Sequence, residues 1–230
     1  MKKYIWCEDS KSGYNFWKKM FNTIYPEYIV ETKENNSRLN KAVEQISNDG
    51  NLYYIMLDTA IDNPDVLRES IRLKRNISGK NNVRVIKIHS FEFALLSFEY
   101  LDSWVFAVDD DFREKRKGLL DARDKFVELI NNGGDRDSLS NFKSVYNYKS
   151  EMNSEKISAK LLFEITRNTG FETNKSKVGS CFIENCCELD NRQDDDKCGL
   201  DNNRLTVSEK MEQIMKYSVL QKAIKEANLK

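Results

Sequence analysis

The sequence predicts an α/β protein built on a mostly parallel sheet flanked by helices, and three observations carry that prediction. Short apolar runs recur before residue 90, at Lys3 to Cys7, Tyr28 to Val30, Leu52 to Leu57 and Val83 to Ile88. Between them, apolar residues fall at helical spacing. The third run, Leu52-Tyr53-Tyr54-Ile55-Met56-Leu57, shows no polar alternation. A strand covered by helices on both faces reads this way, and alternating βα units place helices on both faces of a parallel sheet.

The elements follow in order. Lys3-Tyr4-Ile5-Trp6-Cys7 is the first strand, and it stops at the polar loop Glu8-Asp9-Ser10-Lys11-Ser12-Gly13. Phe16, Trp17, Met20, Phe21 and Ile24 then mark one face of a helix. Tyr28 to Val30 is the second strand, and Leu39, Val43 and Ile46 define a helix ending near Gly50. The central strand ends in Asp58. Pro64 opens a third helix with Val66, Leu67, Ile71 and Leu73, because the first turn of a helix has no use for the N–H that proline lacks. Val83 to Ile88 is the fourth strand. Phe91 to Leu101 reads as helix, Trp104 to Val108 as a further strand and Phe112 to Ile130 as a long charged helix. Asn131-Asn132-Gly133-Gly134-Asp135 is the clearest break in the chain. It divides an α/β domain at 1–130 from a mainly helical and irregular, cysteine-containing module at 131–230, with helices at 157–165 and 207–227.

Composition restricts function. The chain has 37 Lys and Arg against 37 Asp and Glu, so net charge supplies no attraction to nucleic acid or an anionic membrane. A polyanion partner needs a local basic surface or a bound metal. No apolar stretch approaches the ~20 residues of a membrane span and none resembles a secretory signal, so the expected location is cytoplasmic, with no membrane partner. There is no P-loop, no glycine-rich dinucleotide fingerprint and no Ser-His-Asp order.

Glu8 follows the first strand, and Asp58 and Asp62 follow the central one. Strand C-termini share one edge of an open parallel sheet, so acids distant in sequence converge there. Such carboxylates repel unless they hold a hard cation, and Mg²⁺ takes a few carboxylates with waters and substrate phosphate oxygens. The alternative is that all three are solvated loop and cap residues. Lys11 and Lys87 are candidates to screen substrate phosphate, or ordinary surface lysines. A second constellation, Cys181, Cys186, Cys187 and Cys198, sets four soft ligands in one loop; it fits a tetrahedral Zn²⁺, or free or redox-paired thiols. Basic clusters at Arg72-Leu73-Lys74-Arg75 and at Arg113 to Lys117 read first as solvated helix faces.

Trp6-Cys7-Glu8-Asp9-Ser10-Lys11-Ser12-Gly13, with Asn15 to Phe21 behind it, resembles the opening of the Toprim-like domains of bacterial defence proteins. In that family a strand ends in a characteristic Glu and a later strand ends in paired aspartates. Ile55-Met56-Leu57-Asp58-Thr59-Ala60-Ile61-Asp62 stands where the second motif belongs, and Lys87-Ile88-His89-Ser90-Phe91-Glu92 resembles a third segment that supplies a further acid. The resemblance implies a Toprim-like fold related to the overcoming-lysogenization-defect nucleases. It also implies Mg²⁺ or Mn²⁺ on Glu8, Asp58 and Asp62 with Glu92 as helper, and an acid/base role for Glu8. The function implied is a nuclease or nuclease-derived effector acting on DNA or RNA in bacterial or phage defence, with an ABC-type ATPase as partner. The sequence departs from the family in one place: Asp-x-Asp becomes Asp58-Thr59-Ala60-Ile61-Asp62, and Ala60 fills the slot of the second aspartate. A catalytically silent interaction or regulatory subunit is the alternative that this departure leaves open. His89, the sole histidine, is a candidate base or ligand, or a structural residue.

Overall fold

Each of the four apolar runs forms a strand, and all four strands pair in parallel. The computed structural model describes residues 1–60, 62–108, 111–171, 180–186, 198–201 and 203–230. Its order is β1 (Lys3–Cys7), α1 (Lys11–Ile24), β2 (Tyr28–Thr32), α2 (Asn36–Glu44), β3 (Leu52–Asp58), α3 (Pro64–Asn76) and β4 (Val83–Ile88). The sheet runs β2-β1-β3-β4, with Ile5 level with Val30 and Tyr54, and Tyr54 level with Arg84. Crossovers between parallel strands are right-handed, so a chain that moves one way from β1 to β2 and the other way through β3 and β4 sets α1 on one face and α2 and α3 on the other.

The pleat sorts the core accordingly. Tyr53, Ile55 and Leu57 of β3 join Leu39, Val43 and Ile46 of the α2 segment, Leu73 of α3 and Val83 of β4, with Tyr4 and Trp6 of β1 packed against them. Residues of the other parity, Ile5, Cys7, Tyr54, Met56, Ile86 and Ile88, are buried, as are Phe16, Trp17, Met20 and Phe21 of α1. The helix starts follow their local chemistry. Asn35 and Asn63 cap α2 and α3 through side-chain oxygens that accept from Arg38 N–H and Asp65 N–H, and Pro64 occupies the first turn of α3.

The chain forms two compact units, residues 1–91 with 211–230, and residues 92–210. That division differs from a boundary at residue 130, because the C-terminal segment returns to the sheet. Within the first unit α12 (Leu220–Glu226) packs on β4, Tyr54 Oη donates to the Asn228 carbonyl at 3.0 Å, and Tyr28 Oη donates to the Lys230 carbonyl at 2.7 Å.

The second unit is helical among its described residues, holding α4 (Phe91–Leu96), α5 (Leu101–Val105), α6 (Phe112–Lys115), α7 (Lys117–Asn131), α8 (Arg136–Val145), α9 (Ser154–Thr166) and α10 (Ser180–Ile183). α11 (Val207–Lys216) crosses the junction of the two units. Aromatic rings make much of this core: Phe98 meets Trp104 at 4.6 Å between centroids, Phe171 meets Phe182 at 4.9 Å, and Phe126 meets Phe142 at 5.1 Å. Three expectations are corrected here. Trp104 to Val108 is no strand: Leu101 to Val105 is helix, Trp104, Val105 and Phe106 are buried in succession, and Val108 is 94% exposed, so the run lacks pleat alternation. The helix expected over 112–130 breaks at Arg116, whose guanidinium donates to the Ile165 and Arg167 carbonyls at the end of α9. Residues 207–227 form two helices, α11 and α12. No described helix is long and apolar enough to cross a membrane.

Gly199 lies against backbone, where a Cβ would meet the carbonyl oxygens of Ser103 and Phe106. Gly199→Ala is expected to destabilise the protein by about 1–3 kcal/mol through overpacking. Gly118→Ala, at a helical position with open space around it, is expected to stabilise by about 0.4–1 kcal/mol. Denaturant unfolding of the two variants beside the parent chain checks both.

Candidate functional site

The sheet order fixes where a ligand edge lies. Connections leave β1 and β3 in opposite directions, so no crossover covers the C-terminal ends of these two neighbours, and open α/β sheets bind ligands at such a point. β1 ends at Cys7 and β3 at Asp58. The register of this strand pair ends with Trp6 level with Ile55. Continued by two rungs, it sets Glu8 level with Leu57, one residue from Asp58. With strands about 4.8 Å apart and about 3.3 Å per residue, the Glu8 and Asp58 backbones are then about 6 Å apart. Both residues are partly exposed. They differ in pleat sense: Glu8 continues the side of Tyr4 and Trp6, and Asp58 that of Tyr54 and Met56.

Asp9, which sequence reasoning left as loop, is the acid that the fold uses most firmly here. Its Oδ2 accepts from the Trp17 indole N–H at 2.6 Å. Its Oδ1 lies where a Cβ on Gly13 would come within 2.6 Å, so glycine in the first turn of α1 makes room for the carboxylate. Thr32 Oγ1 donates to the Asp9 carbonyl at 2.5 Å, and Lys33 N–H donates to the Cys7 carbonyl at 2.8 Å, which ties the loop to the end of β2. Burial raises the Asp9 carboxyl above its ordinary value, with the Trp17 hydrogen bond opposing. The signal available in the sequence was the spacing of Asp9, Gly13 and Trp17, one turn apart. The neighbouring Cys7 thiol is pushed far up by burial and by the adjacent Asp9 and Glu8 charges, so it is an inert core group.

The segment after β3 is held toward β4. Thr59 Oγ1 donates to the Ile88 carbonyl at 2.9 Å and Thr59 N–H to the His89 carbonyl at 3.3 Å. Ala60 is fully buried, and Asn63 N–H closes a turn onto its carbonyl at 3.1 Å. Asp62, in that turn, acts electrostatically on His89: burial holds the imidazole down to about 4 while the Asp62 charge opposes the shift. His89 is therefore neutral at pH 7. Asp62 is grouped with His89 at the β4 end, and Glu8 with Asp58 at the β1/β3 end.

The remaining expected site residues are spread out. Lys11 is the exposed first residue of α1, at φ +52°, and Lys87 is exposed near the end of β4. Glu92 stands in the first turn of α4 and belongs to the second unit. Of the expected zinc ligands, Cys181 lies in α10, Cys186 Sγ accepts from Leu205 N–H at 3.3 Å, and Cys198 is buried with its N–H donating to Asp201 Oδ2 at 2.7 Å. Cys187 lies outside the described residues. Among the described residues, no three His, Cys, Asp or Glu side chains converge as a metal group. Comparison with protein-family models, curated proteins and solved structures gives no match for this chain.

The His89 shift has a definite pH signature. A base whose folded-state value lies below its unfolded value contributes stability that is fully present above the unfolded value, near 6.5, and is lost as pH falls toward about 4. The contribution is at most about 3.5 kcal/mol, since each unit corresponds to about 1.4 kcal/mol. The stability difference between parent and His89→Gln is expected to be constant from pH 7 to 8 and to shrink between pH 6.5 and 4, measured by urea unfolding at fixed ionic strength.

Proposed function

We propose that the chain is a Toprim-like effector whose β1/β3 edge holds Mg²⁺ or Mn²⁺ through Glu8 and Asp58 and acts on a phosphodiester of DNA or RNA, in bacterial or phage defence, with an ABC-type ATPase as partner. One observation supports this most: the two acids stand at the ends of adjacent parallel strands, at the point where the crossovers part. Two carboxylates suit this ion, which keeps several waters and completes its shell with substrate phosphate oxygens. Bound there, it would polarise the phosphoryl oxygen and stabilise the leaving oxygen. Glu8 is partly exposed and supplies the proton-accepting group of the edge. Asp62, placed with His89, tunes the β4 side of the edge and is not required as a direct ligand.

A second reading, the catalytically silent interaction or regulatory subunit, is favoured by Ala60. It occupies the slot of the second aspartate and is fully buried, so that position serves the core. Metal titration separates the readings. Mg²⁺ or Mn²⁺ at a hundredfold excess over its Kd is expected to raise the thermal midpoint by roughly 5–10 °C, the effect of a ligand that binds only the folded state. Glu8→Gln and Asp58→Asn are expected to abolish that rise together with any cleavage of DNA or RNA, and Asp62→Asn to retain most of it. A parent chain with neither a metal-induced shift nor cleavage establishes the silent reading.

A further inference from the structure

The charge that an overall neutral chain lacks is concentrated on one helix face. α1 carries Lys11, Lys18 and Lys19 and no Asp or Glu in its fourteen residues. In four other helices a cation pairs with an acid of the same helix: Arg68 with Asp65 and Arg72 with Glu69 in α3, Lys125 with Glu128 in α7, Lys160 with Glu164 in α9, and Lys222 with Glu226 in α12. No described acid forms an ion pair with a lysine of α1. Glu31 pairs with Lys33 at 2.8 Å, and Asp9 accepts from Trp17.

The lysines share a face. At 100° per residue, Asn15, Lys18 and Asn22 fall within one narrow stripe, with Lys19 on its flank and Lys11 opening the helix, and all five are exposed. A helix that follows a strand in a βα unit runs back along the sheet, so the face begins with Lys11 at the carboxylate edge and extends away from it. Lys11 and Lys18 are about 10 Å apart along the axis.

We propose that this face of α1 binds the phosphodiester backbone of nucleic acid without metal and leads the strand to the β1/β3 edge, a surface that rests on the functional reading above for its substrate class. The chemistry of the stripe favours nucleic acid over a protein partner. It offers only ammonium and carboxamide groups, which contact phosphates and sugars, whereas protein interfaces need an apolar or aromatic centre and are depleted in lysine. In the clusters at Arg72 and Arg113, more conspicuous in the sequence, several cations lie beside acids: Arg72 beside Glu69 and Glu44, Arg113 paired with Asp102 at 2.8 Å and Lys115 with Asp111 at 2.7 Å.

The test is fluorescence anisotropy of the full chain with labelled single-stranded DNA, single-stranded RNA and duplex DNA, in EDTA, from 50 to 200 mM KCl. The expected result is binding that weakens linearly in log[KCl]. The triple variant Lys11→Gln/Lys18→Gln/Lys19→Gln is expected to bind roughly tenfold or more weakly at low salt, with a salt slope smaller by about 2–3, the contribution of three phosphate contacts. A charge-matched control, Arg72→Gln/Arg113→Gln/Lys115→Gln, is expected to keep the parent slope, with circular dichroism confirming that both variants fold. Absence of binding in EDTA, equal losses in the two triple variants, or equal affinity for polyglutamate overturns the proposal. Failure of the metal titration with retained α1-dependent binding leaves this surface standing and removes only the catalytic reading.

Discussion

Reversal of crossover direction between β1 and β3 is the constraint on which the sheet unit turns. Right-handed connections put α1 on one face once the chain steps from β1 to β2, and put α2 and α3 on the other once it steps back. Both faces are thereby buried, so β3 has to be apolar throughout. The same reversal leaves the ends of β1 and β3 uncovered, and polar residues gather where no helix can bury them.

The acids at that edge carry different burdens. Asp9 is drawn beneath the first turn of α1, bonded to Trp17 and lodged against Gly13, and it fixes how α1 leaves the sheet. Glu8 is thereby left at the turn itself. Asp62 is kept on the β4 side by the Thr59 hydrogen bonds and the burial of Ala60. After the span from Asp58 to Asp62, Asn63 and Pro64 start α3.

The sheet was legible because its strands announce themselves. β1 and β4 match the expected bounds, and the continuous apolar run of β3 follows from double coverage. Short apolar runs are ambiguous when helical context decides them, which is why Trp104 to Val108 misled. The breaks at Arg116 and between α11 and α12 depend on partners remote in sequence, such as the carbonyls of Ile165 and Arg167. Val66, Leu67, Ile71 and Leu73 marked α3 correctly, and of these Val66 and Leu73 are buried while Leu67 and Ile71 are 41% and 49% exposed. At the edge, Glu8 and Asp58 were readable from strand ends alone. The role of Asp9 was hidden because it needs the distance from Gly13 to Trp17 around a helical turn, and the charge contrast of α1 emerged only once the ion pairs of the other helices were known.

The return of residues 211–230 to the sheet bears on how the protein is made. A ribosome releases the four strands first, but their unit lacks α12 and the Asn228 and Lys230 carbonyls until residues 211–230 have followed. Meanwhile about 120 intervening residues emerge, and an unstructured loop of that length imposes a closure entropy that grows with the logarithm of its size. If the helical unit condenses first, the effective loop is short and the tail arrives close to its place. Until then Tyr28 and Tyr54 lack their acceptors and the sheet unit is incomplete, the kind of partly folded state that exposes apolar surface.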